Sequence, residues 1–260
     1  MKPLIDLGVI QLPSFYLVIS FTATIILLIV HKQTENYKIA DRKFIFDLLI
    51  LIMISGFTGA RAFHIFYEEF TFYYTFPLEI FKFWKGGFVY YGGFTTALIA
   101  ALYFCYKQKQ NFWLWADFFA PYAGLAYAFG RIGCFLQGCC YGKYCELPWA
   151  VQNLHPTQIY MFLAEIVLIL ILVRIKTWAL INKNLFYSRI FKFDGSFFLF
   201  WIFGHALNRF IIEFYRNDDR GAVIADFSIS QWISFAIMLI ALIVYYFKFR
   251  KLYLVVDTVE

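Results

Sequence analysis

The stretch Phe129-Gly130-Arg131-Ile132-Gly133-Cys134-Phe135-Leu136-Gln137-Gly138-Cys139-Cys140-Tyr141-Gly142-Lys143 sets a guanidinium between glycines near the end of an apolar run, with a Gly/Cys-rich turn behind it. In a chain this hydrophobic, Arg131 falls at or just inside a membrane boundary. A charge there is costly without a partner and marks a functional position. The commonest anion at a membrane surface is a lipid phosphate, which suits the forked donors of arginine. For Arg131 taken alone, snorkelling to headgroups or pairing with a helix carboxylate stays open beside that reading.

The composition agrees with a membrane setting. The 260 residues are 62% hydrophobic and 23% aromatic, with a mean hydropathy of +0.66. Only 15% are charged, against about 25% in soluble chains. No polar stretch is long enough to form a soluble domain. The net charge of +6 does not point to nucleic acid, because the basic residues sit in short loops between apolar runs. Those runs, read as spans, fall at 12–31, 44–66, 88–106, 114–136, 157–175, 195–215 and 227–247. The expected fold is therefore all-α, a polytopic membrane protein of about seven transmembrane helices forming one domain over 1–260. The first apolar run reads as a retained span, because no small-residue cleavage site follows it. The aromatic, acidic segment 68–85 reads as interfacial or re-entrant.

Charge asymmetry gives an orientation. On one side lie Lys32, Lys38, Arg42, Lys43, Lys107, Lys109, Arg174, Lys176, Lys183, Arg189, Lys192, Lys248, Arg250 and Lys251. On the other lie only Lys2, Lys82, Lys85, Lys143, Arg216 and Arg220. The richer side is expected to be cytoplasmic, which puts the N-terminus outside and the C-terminus inside. Arg131, the Cys-rich loop and the Arg209–Arg220 region then all face outward.

Several further residues can carry chemistry. Arg61 follows Gly56 and Gly59, whose spacing also suits close helix packing. In Lys85-Gly86-Gly87-Phe88-Val89-Tyr90-Tyr91-Gly92-Gly93, two glycine pairs bracket an aromatic stretch, and either a bent backbone or a packing seam explains them. Asp117 reads as one half of a structural ion pair. Glu165 needs a partner inside the membrane, and Thr157 marks a helix entry. His205, Arg209 and Glu213 are spaced four and four, on one helical face. Arg209 and Glu213 can pair, and His205 can exchange a proton near neutral pH. The alternative is a self-neutralising structural stripe. Cys134, Cys139, Cys140 and Cys145 do not follow a zinc-ribbon spacing, so no metal is assigned; a local disulfide fits an outward location.

With these residues in view, the chain resembles the prolipoprotein diacylglyceryl transferases. The likeness runs through Gly59-Ala60-Arg61, Gly86-Gly87 to Gly92-Gly93, Ala116-Asp117-Phe118-Phe119-Ala120-Pro121, Gly130-Arg131-Ile132-Gly133 followed by Gly142, His155-Pro156-Thr157-Gln158-Ile159-Tyr160 and Arg209-Phe210-Ile211-Ile212-Glu213-Phe214-Tyr215-Arg216. The resemblance implies seven spans with the N-terminus outside, in the bacterial inner membrane. It implies transfer of the diacylglyceryl group of phosphatidylglycerol to the lipobox cysteine of a preprolipoprotein, with release of glycerol phosphate and no cofactor. Arg131 would hold the lipid phosphate with help from Arg61, Arg209 and Glu213 would line the cavity, and Gly142, Gly92 and Gly93 would support it. Departures mark Tyr91, where the family usually has histidine, and His205, often tyrosine there. Cys134 and Cys139 stand at usually asparagine and acidic positions. The two changes at Tyr91 and His205 look like a swap, with His205 accepting the proton and Tyr91 as its hydrogen-bond partner. Rival readings are a paralogue with another acceptor, a lipid-binding or transport protein without chemistry, and a redox protein built on the cysteines. Neither an internal repeat nor paired broken helices favours a transporter.

Overall fold

The computed structural model describes residues 4–6, 11–36, 42–181, 191, 193–217 and 226–256. Lys2, Lys38, Lys183, Arg189, Lys192 and Arg220 of the charge asymmetry lie outside the described residues. The described chain is mainly helical, with one short antiparallel pair, β1 (Leu4–Asp6) with β2 (Gln11–Pro13), and a bridged loop over 138–156. The long helices are α1 (Ser14–Asn36), α2 (Arg42–Phe63), α4 (Tyr90–Lys107), α5 (Phe112–Gln137), α6 (Thr157–Ile181), α7 (Ser196–Glu213) and α8 (Ile229–Val256). Four stretches, Ser14–Thr34, Arg42–Glu68, Thr157–Trp178 and Ile229–Lys251, are long and apolar enough to cross a membrane. The segment after α2 is broken into a π-turn (His64–Glu68), α3 (Phe70–Thr75) and two 3₁₀ turns, Pro77–Phe81 and Phe83–Lys85. None of these is long enough to span.

The chain divides into two compact units, Met1–Val30 with Trp113–Glu260, and His31–Phe112. In the second unit, α2 packs on α4 along a seam of small residues. A Cβ on Gly59 would lie 1.8 Å from the Thr96 hydroxyl oxygen, and one on Gly93 would lie 2.8 Å from the Gly56 carbonyl oxygen. Thr96 donates across the seam to the Ser55 carbonyl at 2.9 Å. The glycine pair Gly92-Gly93 therefore serves helix packing, as small residues do between membrane helices.

In the first unit, α7 packs against α6 and α8. Asp117, on α5, forms no ion pair among the described residues. Its two carboxylate oxygens accept the backbone N–H groups of Gly195 at 2.8 Å and Phe198 at 2.7 Å. That caps the start of α7 from another helix, and the donors left over at a helix N-terminus favour an anion there. The cap fixes α7 against α5 and so sets where the His205 face points.

Candidate active site

α7 delivers the predicted stripe. Arg209 and Glu213 form an ion pair with Nη1 2.8 Å from Oε2, and Arg216 Nε lies 3.5 Å from the same oxygen. The first turn of α8 completes the cluster: Arg209 Nη2 donates to the Ser230 hydroxyl at 3.2 Å, and the Ser228 hydroxyl donates to Glu213 Oε1 at 3.2 Å. Two guanidiniums on one carboxylate leave the cluster with a net positive charge. Glu213 Oε2 is buried and, among the described residues, has no well-aligned hydrogen-bond donor, so the pairing is electrostatic more than geometric.

One turn back, His205 Nδ1 lies 3.0 Å from Glu165 Oε2, and the Trp201 indole donates to Glu165 Oε1 at 2.7 Å. Glu165, on α6, is fully buried. A carboxylate so placed is tolerable only with donors on its oxygens, and it fixes the orientation of the imidazole as an orienting acid does in general-base pairs. The Tyr127 ring stands edge-on to His205 at 4.4 Å between centroids. Tyr127 also packs with Met161 and Ile212 in one buried cluster.

Arg131 lies one turn after Tyr127 on α5, and its guanidinium carbon sits 4.6 Å from the Tyr127 ring centroid. Among the described residues no carboxylate pairs with it. A guanidinium on an aromatic face gains cation–π attraction while its edge donors stay available. Tyr127 was not singled out in the sequence, although its spacing of four from Arg131 is the signal that it shares a face.

The loop after α5 is docked on this same end. Gly142 N–H donates to the His155 carbonyl at 2.8 Å, and Lys143 N–H to the Tyr215 carbonyl at 2.8 Å. A Cβ on Gly142 would lie 2.1 Å from the Tyr215 carbonyl oxygen, a backbone atom that cannot yield. The end of α5, the loop, the start of α6, the end of α7 and the start of α8 thus form one polar, cationic region inside an apolar unit.

The model of the prolipoprotein diacylglyceryl transferase family matches residues 2–247, nearly the whole chain. The chain belongs to that family. A Clostridium tetani relative named phosphatidylglycerol–prolipoprotein diacylglyceryl transferase is 33% identical over 241 residues, covering 88% of this chain and 90% of the relative. A relative of the same name from Campylobacter jejuni subsp. doylei is 35% identical over 229 residues, covering 81% and 80%. One from Polynucleobacter necessarius is 32% identical over 200 residues, covering 74% and 72%.

Within this diacylglyceryl transferase, the predicted residues of the second unit are engaged differently. Arg61, only 8% exposed, donates through Nε to the Ile80 carbonyl, through Nη1 to Gly86 and Gly87, and through Nη2 to Glu79 and Ile80, at 2.5–3.3 Å. It stacks on Tyr73 and Phe88 as well. Its donors are engaged by backbone carbonyls, and it organises the 77–88 segment. Gly87 makes room for it: φ is +82°, and a Cβ would meet His64 at 2.4 Å and Arg61 Nη1 at 2.8 Å. The Glu79 side chain clamps the same segment by accepting from Lys82 at 2.7 Å and Lys85 at 2.8 Å, and those two hydrogen bonds hold its carboxyl below the usual value. Tyr91 stands half-buried in the first turn of α4. The Cys139 thiol is pushed up by hydrogen bonding to Cys134 and Cys140, the reverse of what a nucleophilic thiolate needs.

Proposed function

We propose that the protein transfers the diacylglyceryl group of phosphatidylglycerol to the lipobox cysteine thiol of a preprolipoprotein. The substrate sulfur attacks the glycerol carbon bearing the phosphate ester. A C–S bond forms, the C–O bond breaks, and glycerol phosphate leaves with the electron pair while the thiol proton passes to a base. Arg131 carries this reading: a guanidinium seated on an aromatic face, with no carboxylate beside it among the described residues, suits the lipid phosphate. A fixed cation where leaving-group charge develops, in a low-dielectric site, is an effective means of acceleration. The Arg209–Glu213–Arg216 cluster adds positive potential at the same end. His205, oriented by Glu165, accepts the thiol proton. Tyr91 enters as a catalytic candidate through its position in the glycine-bracketed stretch.

In this reading the whole chain is one integral-membrane domain of seven spans in the bacterial inner membrane, N-terminus outside, with the site toward the outer face. Support comes from α4, α5 and α7, whose bounds lie close to the three predicted spans beyond the four helices long and apolar enough to cross a membrane, and from the lysine and arginine asymmetry.

The test is a reconstituted reaction of purified protein, phosphatidylglycerol and a lipobox peptide, read by mass spectrometry. A diacylglyceryl mass gain on the peptide that vanishes with Arg131→Ala is the expected result. No gain from well-folded wild-type protein would return the site to a lipid-binding role without chemistry, or to another acceptor.

A further inference from the structure

The sulfurs of Cys134, Cys139 and Cys140 lie within 4.8 Å of one another. None of the five cysteines is in a disulfide. The convergence is built by the helix end. α5 closes in a Schellman turn: Gly138 takes φ +79°, its N–H donates to the Phe135 carbonyl at 3.1 Å, and Cys139 N–H donates back to the Cys134 carbonyl at 3.2 Å. That second bond sets the two residues where such turns ordinarily put an apolar contact, and here both are cysteines. Cys140 then adopts φ +69°, a conformation that side-chain-bearing residues keep only where their surroundings impose it. Two buried side chains at the start of α6 impose it. The Thr157 hydroxyl donates to the Cys140 carbonyl at 2.7 Å, and Gln158 Nε2 donates to the Cys139 carbonyl. The Cys140 sulfur is left 3.1 Å from that of Cys139.

We propose that Cys134, Cys139 and Cys140 form a tris-thiolate site for a thiophilic divalent cation of the zinc class. Binding replaces three thiol protons, released to solvent, with three metal–sulfur bonds. The product carries one net negative charge. Arg131, three residues before Cys134, lies within electrostatic reach of the Cys134 and Cys140 sulfurs and supplies the opposite charge. Tetrahedral bonds of ~2.3 Å separate sulfurs by roughly 3.8 Å, so side-chain rotation of under about 1 Å brings the set to ligand distance. Three protein ligands leave the fourth position open to water or an incoming thiol, the pattern of reactive sites more than of closed structural ones. Cys145 stands apart, buried and accepting the Leu147 N–H at 3.4 Å. The spacing alone, four residues and then none, gives no reason to expect a metal; the helix end supplies it.

The test uses the full chain, reduced and metal-stripped in detergent micelles, titrated with Cd²⁺ and followed by the thiolate-to-cadmium charge-transfer band. A single equivalent should bind, and Cys134→Ser, Cys139→Ser and Cys140→Ser should each weaken it about a hundredfold. Cys105→Ser and Cys145→Ser should leave it unchanged. Arg131→Ala should weaken it about tenfold, and Arg131→Lys should restore it. Saturating Cd²⁺ should raise the melting temperature of the wild type and not of Cys134→Ser, which separates a lost ligand from a misfolded variant. An absent band, or one that survives the Cys134→Ser and Cys140→Ser changes, overturns the proposal. So does alkylation mass spectrometry that finds two of the three thiols joined as a disulfide in protein purified without reductant.

Discussion

Arg61 and Arg131 begin alike and end differently. Each follows a glycine on an apolar helix, in Gly59-Ala60-Arg61-Ala62 and in Gly130-Arg131-Ile132-Gly133. Arg61 has its Nε and both Nη atoms on carbonyls of the 77–88 segment. Arg131 has an aromatic face beneath it and, among the described residues, no carboxylate. Removing a guanidinium from water is expensive in either place; backbone carbonyls offset it for the first, and the Tyr127 ring for the second. The difference separates a cation that shapes a loop from the one we propose holds an external anion, and it lies in the partners, not in the local sequence.

Mutating both arginines is the sharpest way to break this comparison. Arg131→Ala should lower kcat/KM for peptide diacylglycerylation by about 10²–10³ or more, the usual cost of losing a fixed donor at developing charge. Its thermal stability should stay near that of the wild type. Arg61→Ala should do the reverse: it leaves several half-buried carbonyls without donors, so the melting temperature falls and the 77–88 segment becomes open to protease. If Arg61→Ala melts like the wild type yet loses activity as deeply as Arg131→Ala, the two arginines share one role and the comparison collapses.

Smaller in effect, Glu165→Gln keeps an acceptor for Trp201 but removes the charge facing His205. The turnover number should fall about 10- to 100-fold, and the limb of the pH–rate profile that reports the base should move, with KM for phosphatidylglycerol little changed. A uniform loss at every pH would mean that the pair only holds α6 against α7.

Much of this was legible beforehand. The stripe at 205, 209 and 213 follows from helical spacing alone, and its ion pair formed as that spacing predicts. What spacing could not give were partners from other elements. Glu165 could be seen to need a partner, but Trp201 and His205 meet it only through the packing of α6 on α7. Asp117 read as an ion pair because a sequence offers charges, not the open end of a helix 78 residues away. The fate of Arg61 depended on carbonyls, which every residue carries and no sequence pattern marks.

Within the Arg61 loop, two adjacent glycines offer a matched pair. Gly86 and Gly87 both have positive φ, at +90° and +82°. Gly86 has open space around a Cβ, whereas Gly87 has His64 and Arg61 against it. Gly86→Ala should cost about 1–3 kcal/mol for backbone conformation alone. Gly87→Ala should add about 1–3 kcal/mol of overpacking, because it pushes the guanidinium off its carbonyls. Denaturant unfolding in micelles would show equal losses if the seating of Arg61 did not matter.

The mildest expected effect is a dependence on pH. Glu79 offers its carbonyl to Arg61 and its carboxylate to Lys82 and Lys85. Its pKa is lowered from the ordinary 4.5, so the folded state binds this proton less readily than the unfolded chain. The resulting stabilisation is fully present above the ordinary value and disappears as pH falls through the lowered one. The melting-temperature difference between wild type and Glu79→Gln should therefore be constant from neutral pH down to the ordinary carboxylate range and shrink below it. High salt should reduce the difference throughout, since both lysines are exposed. A difference that instead grew on acidification would mean that the carboxyl is held protonated in the fold, and that the 77–88 segment is kept in shape by Arg61 without help from the Glu79 clamp.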